Sequence, residues 1–249
     1  MIPLKSKEEL EMMRKSGEIL ARIMRKIKEF VSEGISTIEI DQLAEELIKK
    51  ENAKPAFKGY KGFPATICTS INEQVVHGIP GERRLKEGDI ISLDLGLNYQ
   101  DYFSDIAVTL AVGKISSKAR KLIETTKNAL SEGIKHARID NHLSDISYSI
   151  QSYVEKNGFS VVRQFVGHGI GKSLHEEPEI PNFGRANKGT LLRAGMVLAI
   201  EPMVNQGSWE CEVLDDGWTA VTKDGLLSAH FEHTIAITDN GPEILTLCS

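Results

Sequence analysis

Residues 90–112 read IISLDLGLNYQDYFSDIAVTLAV, two β-branched, strand-like runs on either side of a short polar break, and their alternation decides the fold class. Ile91, Leu93 and Leu95 on the first run and Ile106, Val108 and Leu110 on the second share one face. Ser92, Asp94, Gly96, Asp105, Ala107 and Thr109 share the other. This period-two pattern describes an antiparallel hairpin with one face in a core and one polar, uncrowded face. A loop centred between Tyr99 and Gln100 sets Asp94 directly opposite Asp105, where cross-strand Cβ atoms lie about 4.5–5.5 Å apart and like charges repel. Either aspartate alone reads as part of a solvated sheet face; the pair reads as a seat for a cation.

Two helices precede the hairpin. Ser6-x-x-Glu9 and Ser36-x-x-Glu39 have capping-box form, and each is followed by an apolar stripe at helical spacing. The first helix is expected to end near Glu33-Gly34 and the second to fade at Asn52. A Gly-, Pro- and aromatic-rich loop, KPAFKGYKGFPA, leads to strand-like Thr66 to Ile71 and Val75-Val76. After the hairpin the pattern restarts, with helices opening at Ser116-Ser117 and at Ser144, the latter closed by Asn157-Gly158. Strand-like segments follow at 161–166, 196–200, 218–222 and 231–238. With no low-complexity linker between the halves, residues 1–249 are read as one α+β domain with internal pseudo-symmetry, its helices covering the outer face of a curved antiparallel sheet.

The chain has 249 residues, a net charge of −5 and 41% hydrophobic residues, an ordinary globular balance long enough for a sizeable core. No basic run marks a nucleic-acid or anionic membrane surface, and no stretch is apolar enough to span a bilayer. Three cysteines, Cys68, Cys211 and Cys248, show no C-x-x-C spacing, which argues against a disulfide framework and places the protein in a reducing cytoplasm.

Glu201 in VLAIEPM and Glu232 in AHFEHTIAI each sit in an apolar run, where an unpaired charge is costly. Few basic residues lie near any of the four carboxylates, and His168 stands between glycines in VGHGIG. Four carboxylates balance two divalent cations in charge, and such a set holds ions about 3.5–4 Å apart in two-metal hydrolases. Oxygen-dominated ligands suit Mn, Fe or Co without excluding Zn. Shorter motifs fail: VGHGIGKS has Val166 where a P-loop needs its first glycine, His230-x-Glu232 lacks a downstream P-C-x-x-C, and His175-Glu176 lacks the second histidine of H-E-x-x-H. No serine or cysteine stands out as a nucleophile, so a metal-activated water is the better candidate.

SINEQVVHGIP, DLGLNYQDYFSD, GHGIGKSLHEEPEIPNF, GMVLAIEPM, DGWTAVT and HFEHT, in this order, closely resemble the type I methionine aminopeptidases of peptidase family M24, in their short bacterial form. The resemblance implies the pita-bread fold and five ligands to a dinuclear centre: Asp94, Asp105, His168, Glu201 and Glu232, with Asp105 and Glu232 bridging. It implies removal of the initiator methionine from nascent polypeptides when the second residue is small. Glu201 would shuttle the proton, His175 would hydrogen-bond the developing oxyanion and His77 would contact the scissile amide or the second-residue backbone. Tyr60, Phe63, Cys68, Leu174 and Trp218 would surround the methionine side chain with Phe57 nearby, and Asn72 and Ser228 match positions that bind a monovalent cation in relatives. The implied partners are nascent N-termini, with a ribosome contact open, and the implied state is a monomer.

Taken singly, His77 and His175 also read as hydrogen-bonded loop histidines, and Trp218 and Cys68 as packing residues. Two other functions stand beside this one. An Xaa-Pro peptidase would share the five ligands, and a metal-free binding module would replace at least one of them; here all five are present.

Overall fold

The computed structural model describes residues 2–247. Cys248 lies outside them, while Cys68 and Cys211 are buried free thiols. Two helices open the chain, α1 over Lys7–Phe30 and α2 over Thr37–Lys50. Reciprocal caps set their starts: the Ser6 hydroxyl accepts from the Glu9 N–H at 3.2 Å while the Ser6 N–H donates to Glu9 at 2.9 Å, and the Ser36 N–H donates to Glu39 at 2.9 Å. α1 stops at Phe30, short of Glu33-Gly34. Val31 turns extended, and Gly34 serves the following turn, its N–H donating to the Leu85 carbonyl at 2.8 Å.

Short β1 (Lys54–Pro55), β2 (Cys68–Ile71) and β3 (Gln74–Val76) precede the long hairpin of β4 (Ile90–Tyr99) and β5 (Tyr102–Ala111). Its register corrects the sequence reading. Asp94 pairs with Ala107 and Asp105 with Gly96, so the aspartates are diagonal neighbours on one face. The loop is centred on Gln100 and Asp101, both at positive φ (50° and 67°), the backbone of a two-residue type I′ turn. A shift of two residues in pairing preserves parity, so the polar face survives.

The second half supplies α3 (Ser117–His136) and α4 (Leu143–Lys156). α4 begins earlier than Ser144 suggests, because the His142 N–H donates to Asp145 at 2.7 Å and makes His142 the N-cap; the Ser144 hydroxyl instead donates to the Lys188 carbonyl at 2.8 Å. Then come β6 (Ser160–Val161), β7 (Gly167–Gly169), β8 (Glu176–Ile180), β9 (Val197–Ile200), β10 (Met203–Asn205), β11 (Cys211–Val213), β12 (Ala220–Thr222), β13 (Ser228–His230), β14 (Glu232–Thr238) and β15 (Gly241–Ile244). The expected strand at 161–166 is cut short, since the chain there passes from one sheet to another.

The main sheet runs β1-β4-β5-β14-β9-β7-β8, with β2 on β4 and β15 on β14, and its pairs are antiparallel. The β5–β14 junction relates the two halves, each a helix pair over a strand pair. Ile91, Leu93, Leu95 and Leu97 of β4 pack fully buried under α1 and α2, while Leu198, Ile200, Ile235 and Ile237 pack under α3 and α4. Each such side chain contributes about 1.5–3 kcal/mol on burial. Both helix pairs lie on this face, leaving the opposite one for polar side chains.

Candidate active site

The polar face opens into a cavity of about 180 Å³, and all the residues singled out from the sequence as catalytic, ligating or pocket-forming line it: Tyr60, Phe63, Cys68, His77, Asp94, Asp105, His168, Leu174, His175, Glu201, Trp218 and Glu232, with Phe57. Asp94 and Asp105 come from the central hairpin, His168 from β7, Glu201 from the residue after β9, and Glu232 from the start of β14. Because Glu232 pairs with Ala107, and Ala107 with Asp94, strands distant in sequence converge on one point. Gly167 and Gly169 flank His168 for a backbone reason: a Cβ on either would lie 2.4 Å from the Ala199 carbonyl oxygen or 2.2 Å from that of Glu177, so only glycine lets the neighbouring chain approach.

Among the described residues, Asp105, His168 and Glu232 each offer a donor atom within 4.8 Å of the others. The His168 Nδ1 is hydrogen-bonded to the Gly169 carbonyl at 2.8 Å, which leaves Nε2 facing Glu201 Oε1 at 3.6 Å. The Asp105 backbone is held by Thr234, whose hydroxyl accepts from the Asp105 N–H and donates to its carbonyl, both at 2.9 Å. Asp94 Oδ1 and Glu232 Oε1 are buried with no hydrogen-bond partner. Burial pushes all four carboxyls above their ordinary range, Asp94 to about 7 and Glu201 to about 8; Asp105 and Glu232 are raised further by the neighbouring carboxylates. Burial also depresses His168 to about 3, so its ring is neutral, as a ligand must be. Unpaired carboxylate oxygens beside a neutral imidazole form a donor set that a divalent cation satisfies in both charge and coordination.

His77 sits at the end of β3 with φ at +59°, a conformation costly for a side-chain-bearing residue and frequent where geometry serves function. Its ring meets Phe165 edge-on at 5.4 Å, and burial lowers it to about 4. His175 is exposed at the mouth, stacked on Tyr60 at 5.2 Å and bonded to its hydroxyl at 2.9 Å through Nδ1. Trp218 packs against Phe63 at 5.1 Å, closing an apolar end that includes buried Cys68 and Leu174. Away from the cavity, Asn72 and Ser228 are adjacent, the Ser228 N–H donating to the Asn72 carbonyl at 2.9 Å. Their side chains are engaged elsewhere, by Asp89 and Ile90 and by Asn205 and Val204.

The sequence reading missed three supports. Lys5 forms a part-buried ion pair with Glu176, next to His175. Lys61 joins the rim over Tyr60. His230 lies wholly buried with Nε2 3.6 Å from Glu201 Oε2; its place two residues before Glu232, on the same face of an extended run, was the available signal.

The chain belongs to metallopeptidase family M24, whose model matches residues 11–239. Within that class it is similar to methionine aminopeptidases. That of Clostridium perfringens is 58% identical over 247 residues, 99% of each chain. The crystal structure of the Thermotoga maritima methionine aminopeptidase superposes with a TM-score of 0.98 at 47% identity, and that of Rickettsia prowazekii with 0.98 at 41%, each match covering 99% of this chain and 100% of the other. The fold is accordingly the pita-bread fold.

Proposed function

We propose that this chain is a methionyl aminopeptidase, one catalytic domain over residues 1–249, that removes the initiator methionine from nascent polypeptides in the cytoplasm when the second residue is small. The observation that carries the reading is the cluster of buried carboxylates with unpartnered oxygens beside neutral His168, in one cavity with the apolar wall of Phe63, Cys68, Leu174 and Trp218. Asp94, Asp105, His168, Glu201 and Glu232 would hold two divalent ions, Co, Mn, Fe or Zn, with Asp105 and Glu232 shared between them. Bound there, the ions would polarise the scissile carbonyl and acidify a water.

The remaining steps fall to the chain's own groups. Glu201 takes the proton of the attacking water and returns it to the leaving amine; burial already raises its proton affinity toward neutral pH. His175 donates a hydrogen bond to the developing oxyanion, its ring oriented by Tyr60. His77, neutral because burial depresses it, contacts the scissile amide or the next residue's backbone. Phe63, Cys68, Leu174, Trp218 and Tyr60 enclose the thioether, an apolar and partly aromatic wall suited to sulfur. A monovalent cation beside Asn72 and Ser228 would be held by backbone carbonyls, since both side chains already have partners. The substrate's origin suggests a working place at the ribosome, with the enzyme a monomer.

Release of methionine from Met-Ala-Ser by metal-free protein, titrated separately with Mn, Fe, Co and Zn, tests the reading. Activity restored by metal is expected. Silence with every ion in a folded protein, or cleavage of Xaa-Pro peptides instead, would overturn it.

A further inference from the structure

His230 closes β13 at the inner wall of the site, 1% exposed, and neither of its ring nitrogens has a hydrogen-bond partner. Its backbone is clamped: the His230 N–H donates to Thr109 Oγ1 at 2.8 Å, and the Thr109 hydroxyl donates to the His230 carbonyl at 2.8 Å. The residue also pairs with Met203 across the ladder between β10 and β13. The ring's position is thus dictated by the sheet and not by polar contacts of its own. Buried polar groups in folded proteins are almost always bonded, so an imidazole held open at both nitrogens calls for an explanation in what faces it. What faces it is Glu201, with the Asp94 carboxylate also near enough to act on the ring. The Glu201 carboxylate lies between two imidazoles, with Oε1 3.6 Å from His168 Nε2 and Oε2 3.6 Å from His230 Nε2.

We propose that His230 is a positioning residue for Glu201, its Nε2–H donating to Oε2 so that Oε1 stays turned toward His168 and the ions. The inference rests on Glu201 acting as ligand and proton carrier. A glutamate with both duties has a soft terminal torsion, and either oxygen could face the metals. One fixed donor on the outer oxygen removes that freedom. The present separation exceeds a hydrogen bond, and the proposal requires the Glu201 carboxylate to turn about that same soft torsion to close it. His168 and His230 then divide the work: one imidazole offers its lone pair to a cation, the other offers a proton to the glutamate. Partners that orient metal ligands in this way typically govern affinity and rate by about 10–100-fold.

The test compares His230→Gln, whose amide N–H reaches about as far as Nε2, with His230→Leu, which fills the space without a donor. Mn affinity is read by calorimetry on metal-free protein, and kcat and KM are read on Met-Ala-Ser. The leucine variant is expected to bind Mn about 10–100-fold more weakly and to lose kcat by a similar factor with KM within about 3-fold. The glutamine variant is expected to stay within about 3-fold of wild type on all three. If the leucine variant does not fold, His230→Asn, polar but too short to reach Glu201, takes its place with the same expectation. Wild-type Mn affinity in the donor-free variant, or equal losses in the glutamine and donor-free variants, would overturn the proposal. Wild-type protein that binds Mn yet releases no methionine would sink the proposed function instead, and the calorimetric comparison would still decide the role of His230.

Discussion

Asp105 and Glu232 are carboxylates that the fold buries at a cost which a bound cation would recover. Asp105 is 4% exposed and Glu232 2%, and burial together with neighbouring carboxylates drives both toward the protonated form. Replacing either with alanine would remove a ligand that the proposed function shares between two ions, while relieving repulsion in the metal-free state. We therefore expect Asp105→Ala and Glu232→Ala to lose at least about 10³-fold in kcat/KM, a barrier increase of about 4 kcal/mol, while the metal-free variants melt no lower than metal-free wild type. Peptide hydrolysis and calorimetric melting check the two halves of that statement, and near-wild-type turnover in either variant would refute the shared-ligand assignment. That Asp94, Asp105, His168, Glu201 and Glu232 would line one cavity was legible in the sequence because a carboxylate inside an apolar run, or a histidine between glycines, is anomalous on its face. His230 was not, since its importance lies in what it lacks: a partner, visible only once the sheet has closed around it.

Elements built from local chemistry were the easiest to read. The caps at Ser6 and Ser36 and the alternation of β4 and β5 follow from neighbours within a few residues, and each appears where the sequence placed it. The hairpin register did not, because it hangs on two residues, Gln100 and Asp101, that adopt positive φ without the glycine that usually announces such a turn. Nor did the short strands β6, β7 and β10, whose existence depends on partners far along the chain. The N-terminal segment makes the same point for the loop bearing His175. Lys5 and Glu176 are 5% and 11% exposed and form an ion pair, Glu176 Oε1 also accepts from the Ser173 N–H at 3.2 Å, and the Lys5 N–H donates to the Gly195 carbonyl at 2.7 Å. The pair ties the loop to the chain's beginning. Removing one partner strands a buried charge, so Lys5→Met is expected to cost about 3–5 kcal/mol of stability. Denaturant melts would read it, and the paired change Lys5→Met with Glu176→Gln should recover part of the loss; a single variant as stable as wild type would show that the ion pair is dispensable.

Considered as a whole, the molecule places a helix-backed core on one side of its sheet and a concentration of buried carboxylates on the other, so its stability must depend on pH and metal together. Against ordinary carboxyl values of about 4, Asp94 is raised to about 7 by burial and the neighbouring Glu201 carboxylate, and Glu201 to about 8 by burial. Between those limits the metal-free folded state binds more protons than the unfolded chain, and its stability falls as pH rises. Histidines work in the opposite sense: burial lowers His77 to about 4, His168 to about 3 and His233 to about 4, so the unfolded chain binds more protons below about 6.5 and stability there rises with pH. The two effects oppose each other, but the histidine contribution fades above about pH 6.5 and is gone by about 7.5, while the carboxylates continue to titrate and dominate. Metal-free protein is therefore expected to lose thermal midpoint steadily from about pH 6.5 to 8. Saturating Mn should abolish that decline, because the cation takes the place of the protons and binds more tightly as they leave. Melting curves at three pH values, with and without Mn, decide the matter: a metal-free midpoint that rises across this interval, or an increment from Mn that shrinks toward pH 8, would mean that the four carboxylates are not the ion-binding charge of the site.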